Sequence, residues 1–118
     1  MEQDVIITGQ VTSYHTSEKV EDFILHKTAV VGKIEGLKEI TGNAILAGVI
    51  QDLSSLESVK GDLIITGKVG DISKLNFVGG NLIIHNTGKV EKIGKVDVRG
   101  DKLILGSIGT VKTDDMIR

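Results

Sequence analysis

One unit recurs along this chain at an almost constant interval, and that recurrence limits the available folds more than any other feature. Its clearest copy is Gly61-Asp62-Leu63-Ile64-Ile65-Thr66-Gly67-Lys68-Val69. Gly42-Asn43-Ala44-Ile45-Leu46-Ala47-Gly48-Val49, Gly80-Asn81-Leu82-Ile83-Ile84 and Gly100-Asp101-Lys102-Leu103-Ile104-Leu105-Gly106 repeat it. Asp4-Val5-Ile6-Ile7-Thr8-Gly9-Gln10-Val11 is an early copy, and Thr28-Ala29-Val30-Val31-Gly32-Lys33-Ile34 a weaker one. The leading glycines stand at 42, 61, 80 and 100, so the spacings are 19, 19 and 20 residues. A fixed period of this length is the mark of stacked repeats rather than of an ordinary globular domain.

A second signature lies between the aliphatic triplets. Leu53, Leu56 and Val59 are spaced by three, as are Ile72, Leu75 and Val78, Ile34, Leu37 and Ile40, and Val90, Ile93 and Val96. Spacing by three suits a tight coil, a 3₁₀ turn or a short strand. None of these stretches reaches the roughly 11–12 residues of an average helix.

Strands rich in Ile, Leu and Val that recur every coil cannot bury their apolar side alone. Stacking the coils supplies a continuous core. The pattern therefore predicts an all-β fold, a single-stack parallel β-solenoid of about six coils of 19–20 residues, filling 1–118 as one domain. Residues 12–27 break the period and are expected to be an irregular insertion or N-terminal cap, with regular coils over 28–112 and a C-terminal cap or tail at 113–118. Gly42, Gly61, Gly80 and Gly100 are expected at corners, where glycine permits positive φ. Asn43, Asp62, Asn81 and Asp101, in register behind them, are expected as an Asx turn or ladder closing each corner. The absence of Pro fits a backbone whose N–H groups are needed for lateral ladders.

The stretches Gly36-Leu37-Lys38-Glu39-Ile40-Thr41-Gly42-Asn43 and Leu53-Ser54-Ser55-Leu56-Glu57-Ser58-Val59-Lys60-Gly61-Asp62-Leu63-Ile64-Ile65 resemble the leucine-rich repeat of receptor-L-domain-like proteins. That family reads roughly L-x-x-L-x-x-V-x-G-x-L-x-I per turn, and the likeness covers about residues 28–105. The resemblance implies a right-handed β-helix and a ligand- or protein-binding role. Ile65-Thr66-Gly67-Lys68-Val69 gives a weaker resemblance to bactofilins, small bacterial β-helix proteins that polymerise end to end, and implies a structural role.

Candidates for chemistry are few. With no Cys, the chain offers neither disulfide, thiolate zinc site nor cysteine nucleophile. His15, His26 and His85 form no metal-ligand spacing, and His85 stands in an apparent expansion, Ile84-His85-Asn86-Thr87-Gly88. Asp62 and Asp101 fall two coils apart, about 10 Å, which is far for an acid/base pair. Gly67-Lys68-Val69-Gly70 and Gly106-Ser107-Ile108-Gly109-Thr110 are not phosphate loops. Ser54, Ser55 and Ser58 have no neighbouring base. No catalytic, cofactor-binding or metal residue is assigned, and the chain is expected not to be an enzyme. A net charge of -2 and an aromatic content of 3% argue against nucleic-acid binding. No apolar run matches a membrane helix and no signal peptide opens the chain, so membrane insertion is not expected and a cytoplasmic location is favoured.

The sharper signal is apolar. Each strand carries consecutive aliphatics, but side chains alternate faces and a solenoid buries only one. Either the middle residue of each triplet or its two flanks must point outward, and the leucine-rich-repeat resemblance implies Leu63 and Ile65 inward with Ile64 outward. Ile6, Val30, Ile45, Ile64, Ile83 and Ile104 are then expected to form an external stripe. An apolar stripe of this kind marks an interaction surface. The expected function is a non-enzymatic protein-interaction or structural scaffold module. It would self-associate, as a dimer first, or bind a partner protein through this face. The alternatives are end-to-end polymerisation, and a small-ligand or metal-binding solenoid using His85, Asn86, Asp62 and Asp101.

Overall fold

The computed structural model describes residues 4–94 and 96–111 of the 118, with side chains through Ile108. Strands, numbered in chain order, group into three parallel sheets that form the walls of one coil stack. The first wall holds β1 (Val5–Ile7), β4 (Phe23–Leu25), β7 (Ala44–Leu46), β10 (Leu63–Ile65), β13 (Leu82–Ile84) and β16 (Lys102–Ile104). The second holds β2 (Gln10–His15), β5 (Val30–Glu35), β8 (Val49–Asp52), β11 (Lys68–Ile72), β14 (Lys89–Ile93) and β17 (Ser107–Val111). The third holds β3 (Lys19–Val20), β6 (Glu39–Ile40), β9 (Ser58–Val59), β12 (Phe77–Val78) and β15 (Asp97–Val98). The chain is thus a parallel β-solenoid of about five turns, with the first two strands of another turn, and there is no helix among the described residues.

Each turn sends a fixed set of side chains inward. On the first wall these are the outer members of each triplet: Val5 and Ile7, Phe23 and Leu25, Ala44 and Leu46, Leu63 and Ile65, Leu82 and Ile84, all buried. The second wall contributes Val31, Ile50, Val69 and Val90, and the third Val20, Ile40, Val59 and Val78. The residues spaced by three explain the remaining corner. Leu53, Leu56 and Val59 are all buried, and so are Ile72, Leu75 and Val78. The N–H of Leu56 donates to the Leu53 carbonyl and that of Leu75 to the Ile72 carbonyl, so the chain turns between the second and third walls while keeping an apolar residue on the inside. Full burial of such a side chain is worth roughly 1.5–3 kcal/mol, and the stack joins these contributions into one cluster.

Residues 12–27, expected to be irregular, instead complete the first turn and begin the second. β2 pairs with β5, from Gln10 opposite Val30 to His15 opposite Glu35, and β3 pairs with β6. Phe23 and Val20 lie in the core. The tail at 113–118 lies outside the described residues.

Candidate functional site

Two features distinguish the first wall: a hydrogen-bonded row at one of its edges and an aliphatic column on its outer face. The row consists of the residue before each strand: Asp4, Asp22, Asn43, Asp62, Asn81 and Asp101. The Oδ1 of each of the first five accepts the backbone N–H of the corresponding residue one coil on. Asp4 takes the Asp22 N–H at 3.2 Å, Asp22 that of Asn43 at 2.9 Å, Asn43 that of Asp62 at 2.9 Å, Asp62 that of Asn81 at 2.8 Å and Asn81 that of Asp101 at 2.8 Å. Only an acceptor oxygen at that reach is required, which is why Asp and Asn interchange along the row.

The corner glycines serve this ladder, though not by positive φ. Among the described residues only Gly36 has a left-handed φ, 86°. A β-carbon on Gly61 would collide with Oδ1 of Asn43, and one on Gly80 with Oδ1 of Asp62. Gly42 and Gly100 are confined in the same way by Asp22 and Asn81. Glycine is needed here because the preceding coil's carboxylate or amide occupies the space.

The outer column follows from the strand register. Ile6 pairs with Ile24, Ile24 with Ile45, Ile45 with Ile64, Ile64 with Ile83, and Ile83 with Leu103. Six aliphatic side chains therefore stand in line on the outside of one sheet, spanning about 24 Å at the usual strand spacing. The ends are the most open, Ile6 at 62% and Leu103 at 47% exposed, while the central isoleucines are partly shielded by their neighbours.

Four of the six residues expected in this stripe occupy it: Ile6, Ile45, Ile64 and Ile83. Val30 does not. It begins β5 on the second wall, exposed beside Val49, and Ile24 fills its place. Ile104 pairs with Ile84 in the inward column, so Leu103 is the outward residue of that strand. The register at this end is set by Gly100 and Asp101 on the ladder, not by the aliphatic triplet that follows them.

The opposite edge of the wall has corners of two lengths. Ala47-Gly48, Thr66-Gly67 and Leu105-Gly106 cross it in two residues, whereas His26-Lys27-Thr28-Ala29 and His85-Asn86-Thr87-Gly88 take four. The two longer corners are built alike. The Ala29 N–H donates to the His26 carbonyl at 2.9 Å and the Gly88 N–H to the His85 carbonyl at 2.8 Å. The hydroxyls of Thr28 and Thr87 donate to the carbonyls of Thr8 and Thr66 in the preceding coil, at 2.6 and 2.9 Å. The repeated His-x-Thr-small pattern is the sequence signal for both. His85 and Asn86 lie across the full strand from Asp62 and Asp101, so the residues considered for a small-ligand site do not converge.

Apart from Val30 and Val49, the second wall faces solvent mostly with polar groups. Lys33, Asp52, Asp71 and Lys92 form one column. Asp52 is held below the usual carboxylate pKa by the Ser54 hydroxyl and N–H, with a smaller contribution from Lys33, against the effect of burial. For Asp71 burial opposes ionisation and Asp52 adds repulsion, but bonds from Ser73 and the nearby Lys92 outweigh them and its pKa also falls. A shallow open groove of about 380 Å³ runs beside this column, between Gln51, Lys68, Lys89 and Glu91 over the bare backbone of Gly70. On the third wall Phe77 lies between Lys60 and Arg99, whose cationic groups are 5.5 and 5.8 Å from the ring centroid. Among the described residues no three His, Asp or Glu side chains are placed to hold a metal ion, and no helix is long and apolar enough to cross a membrane.

No protein-family model matches the chain, and neither does any curated protein or solved structure.

Proposed function

We propose that this protein is a non-enzymatic interaction or scaffold module that works through the outer face of its first wall. One observation carries the reading: the unbroken outward column Ile6, Ile24, Ile45, Ile64, Ile83 and Leu103. The fold does not require it. Inward residues supply the core, and the corresponding positions of the second and third walls tolerate Lys, Asp, Glu and Ser. An aligned, flat, aliphatic surface is a binding surface for another apolar surface. Its lack of aromatic and basic side chains suits a protein partner better than carbohydrate or nucleic acid.

The test is light scattering coupled to size-exclusion chromatography over a hundredfold concentration range, on the parent chain and on Ile64→Lys/Ile83→Lys. The reading expects concentration-dependent association, or capture of a partner, that the double variant loses while keeping its circular dichroism spectrum. Association unchanged in the folded double variant overturns it.

A second reading, the bactofilin-like one, has solenoids stacking end to end. Its support is that β1, β2 and β3 each end their sheet's strand order, leaving the edge of the first turn unpaired among the described residues. Filaments in electron micrographs that survive Ile64→Lys/Ile83→Lys would select it.

A further inference from the structure

The edges of the aliphatic face differ in charge, and the difference specifies an occupant. On the ladder edge stand Asp4, Asp22, Asp62 and Asp101. Their Oδ1 atoms, where bonded, are used by backbone N–H groups, and among the described residues none of the four is in an ion pair. Beyond the opposite edge stand Lys27 in the longer corner of the second turn, and Lys68 and Lys89 as the first residues of β11 and β14. Lys68 and Lys89 are paired in register, like charge beside like charge. They too are without an ion pair among the described residues. Lys60 and Arg99 stand two residues before Asp62 and Asp101, and Lys102 directly after Asp101, so the ladder edge is acidic chiefly at Asp4, Glu21 and Asp22, while the opposite edge is basic.

Resting on the reading of this face as an interaction surface, we infer that its occupant is a second copy of the chain, related by a two-fold axis parallel to the coil stack. That rotation turns the face over and exchanges its edges while keeping each coil at its own level. The acidic edge of one protomer then meets the basic edge of the other. Asp22 is brought to the level of the partner's Lys27, and Asp62 to the level of the partner's Lys68. Along the middle each aliphatic residue faces its own counterpart, as an isologous interface requires. A two-fold axis running along the strands reverses the coil order and instead brings Asp4 to the level of the partner's Asp101 and Lys27 to that of the partner's Lys89, like charge against like. The charges therefore select the parallel dimer over the antiparallel one. The face is small. About 24 Å of stack by five residues at about 3.3 Å each is roughly 400 Å² per protomer, half of a standard interface. The dimer is accordingly weak, with monomer and dimer exchanging over micromolar concentrations.

The chain has no Cys, so single cysteines report the arrangement directly. Ile6 and Leu103 mark the two ends of the column. The parallel dimer expects Ile6→Cys to form a disulfide with itself under mild oxidation, and Leu103→Cys likewise. A mixture of the two should give little Ile6–Leu103 heterodimer. Asp22→Asn/Asp62→Asn, which keeps both ladder acceptors, should weaken the parent dimer about tenfold at low salt and have little effect at high salt. Heterodimer formation at equal or greater yield than self-linking overturns the parallel arrangement and leaves the aliphatic face standing as an interface. No cross-link from either position overturns the dimer. Association that resists Ile64→Lys/Ile83→Lys instead removes the underlying reading of the face.

Discussion

The first and second walls are both six-stranded parallel sheets, both pack aliphatic side chains inward, and both run the length of the same stack. The columns at the middle of their outer faces nevertheless differ. The first reads Ile, Ile, Ile, Ile, Ile, Leu and the second, over its described side chains, Ser13, Lys33, Asp52, Asp71 and Lys92. Because the second wall folds with charges outside, stability of a coil does not demand aliphatics there. What is common to the walls is the requirement of the fold, and what differs between them is available to function.

Substitutions across one strand probe that distinction most strongly. Leu63→Ala, on the inward side of β10, should lower the free energy of unfolding by about 2–5 kcal/mol. Ile64→Ala, one residue away on the outside, should cost a fraction of that and act on association instead. Urea denaturation of both variants checks this, and equal losses would show that the outer column is part of the fold.

The corners give the next largest effect. Gly80→Ala places a methyl against Oδ1 of Asp62 and the backbone of Gly61. A forced shift of this kind costs about 1–3 kcal/mol. Gly9→Ala at the other edge meets nothing within 4 Å, and should be neutral or stabilise by up to about 1 kcal/mol. Thermal melts of the two variants should move in different directions or by clearly different amounts.

The ladder comes third. Asp62→Ala removes the acceptor of the Asn81 N–H and should cost about 1 kcal/mol. Asp62→Asn keeps it and should stay within about 0.5 kcal/mol of the parent. Hydrogen exchange at Asn81 should speed up in the alanine variant alone.

The smallest expected effect belongs to the charged wall. The pKa values of Asp52 and Asp71 are lowered in the folded state. Their contribution is therefore present above the ordinary carboxylate pKa of 3.8 and is lost as pH falls through the lowered native values. Asp52→Asn/Asp71→Asn should flatten the acid side of the stability curve below about pH 4 and leave neutral stability little changed. Denaturant midpoints between pH 7 and pH 3 measure it.

Much of this was legible in the repeat. The spacing of Gly42, Gly61, Gly80 and Gly100 implies stacked coils; the triplet Leu63-Ile64-Ile65 implies only that its middle residue and its flanks face opposite ways, and the leucine-rich-repeat resemblance puts the flanks inside. The start of the second turn was less legible because Glu21-Asp22 stands where the later turns have glycine followed by Asp or Asn, and because the four-residue corner at His26–Ala29 shifts the count. Ala29-Val30-Val31 looks like an aliphatic triplet and suggests Val30 for the stripe, yet Phe23-Ile24-Leu25 is the strand of that coil. The run Leu103-Ile104-Leu105 likewise suggests Ile104 as the middle residue, although counting from Gly100-Asp101 gives Leu103.

The sequence by itself determined that this chain stacks coils, because a fixed period of buried aliphatics leaves no other economical core. The tertiary structure decided which columns lie together and what borders them. Oδ1 of Asp62 bonds a backbone N–H 19 residues away, and the neighbour of Ile83 is Leu103 rather than Ile104. Those pairings depend on ladder hydrogen bonds between distant coils, which set one register for all residues of a turn at once. No local pattern carries that information, and it is what places six aliphatic side chains in line between the Asp and Asn ladder and the edge that carries Lys27, Lys68 and Lys89.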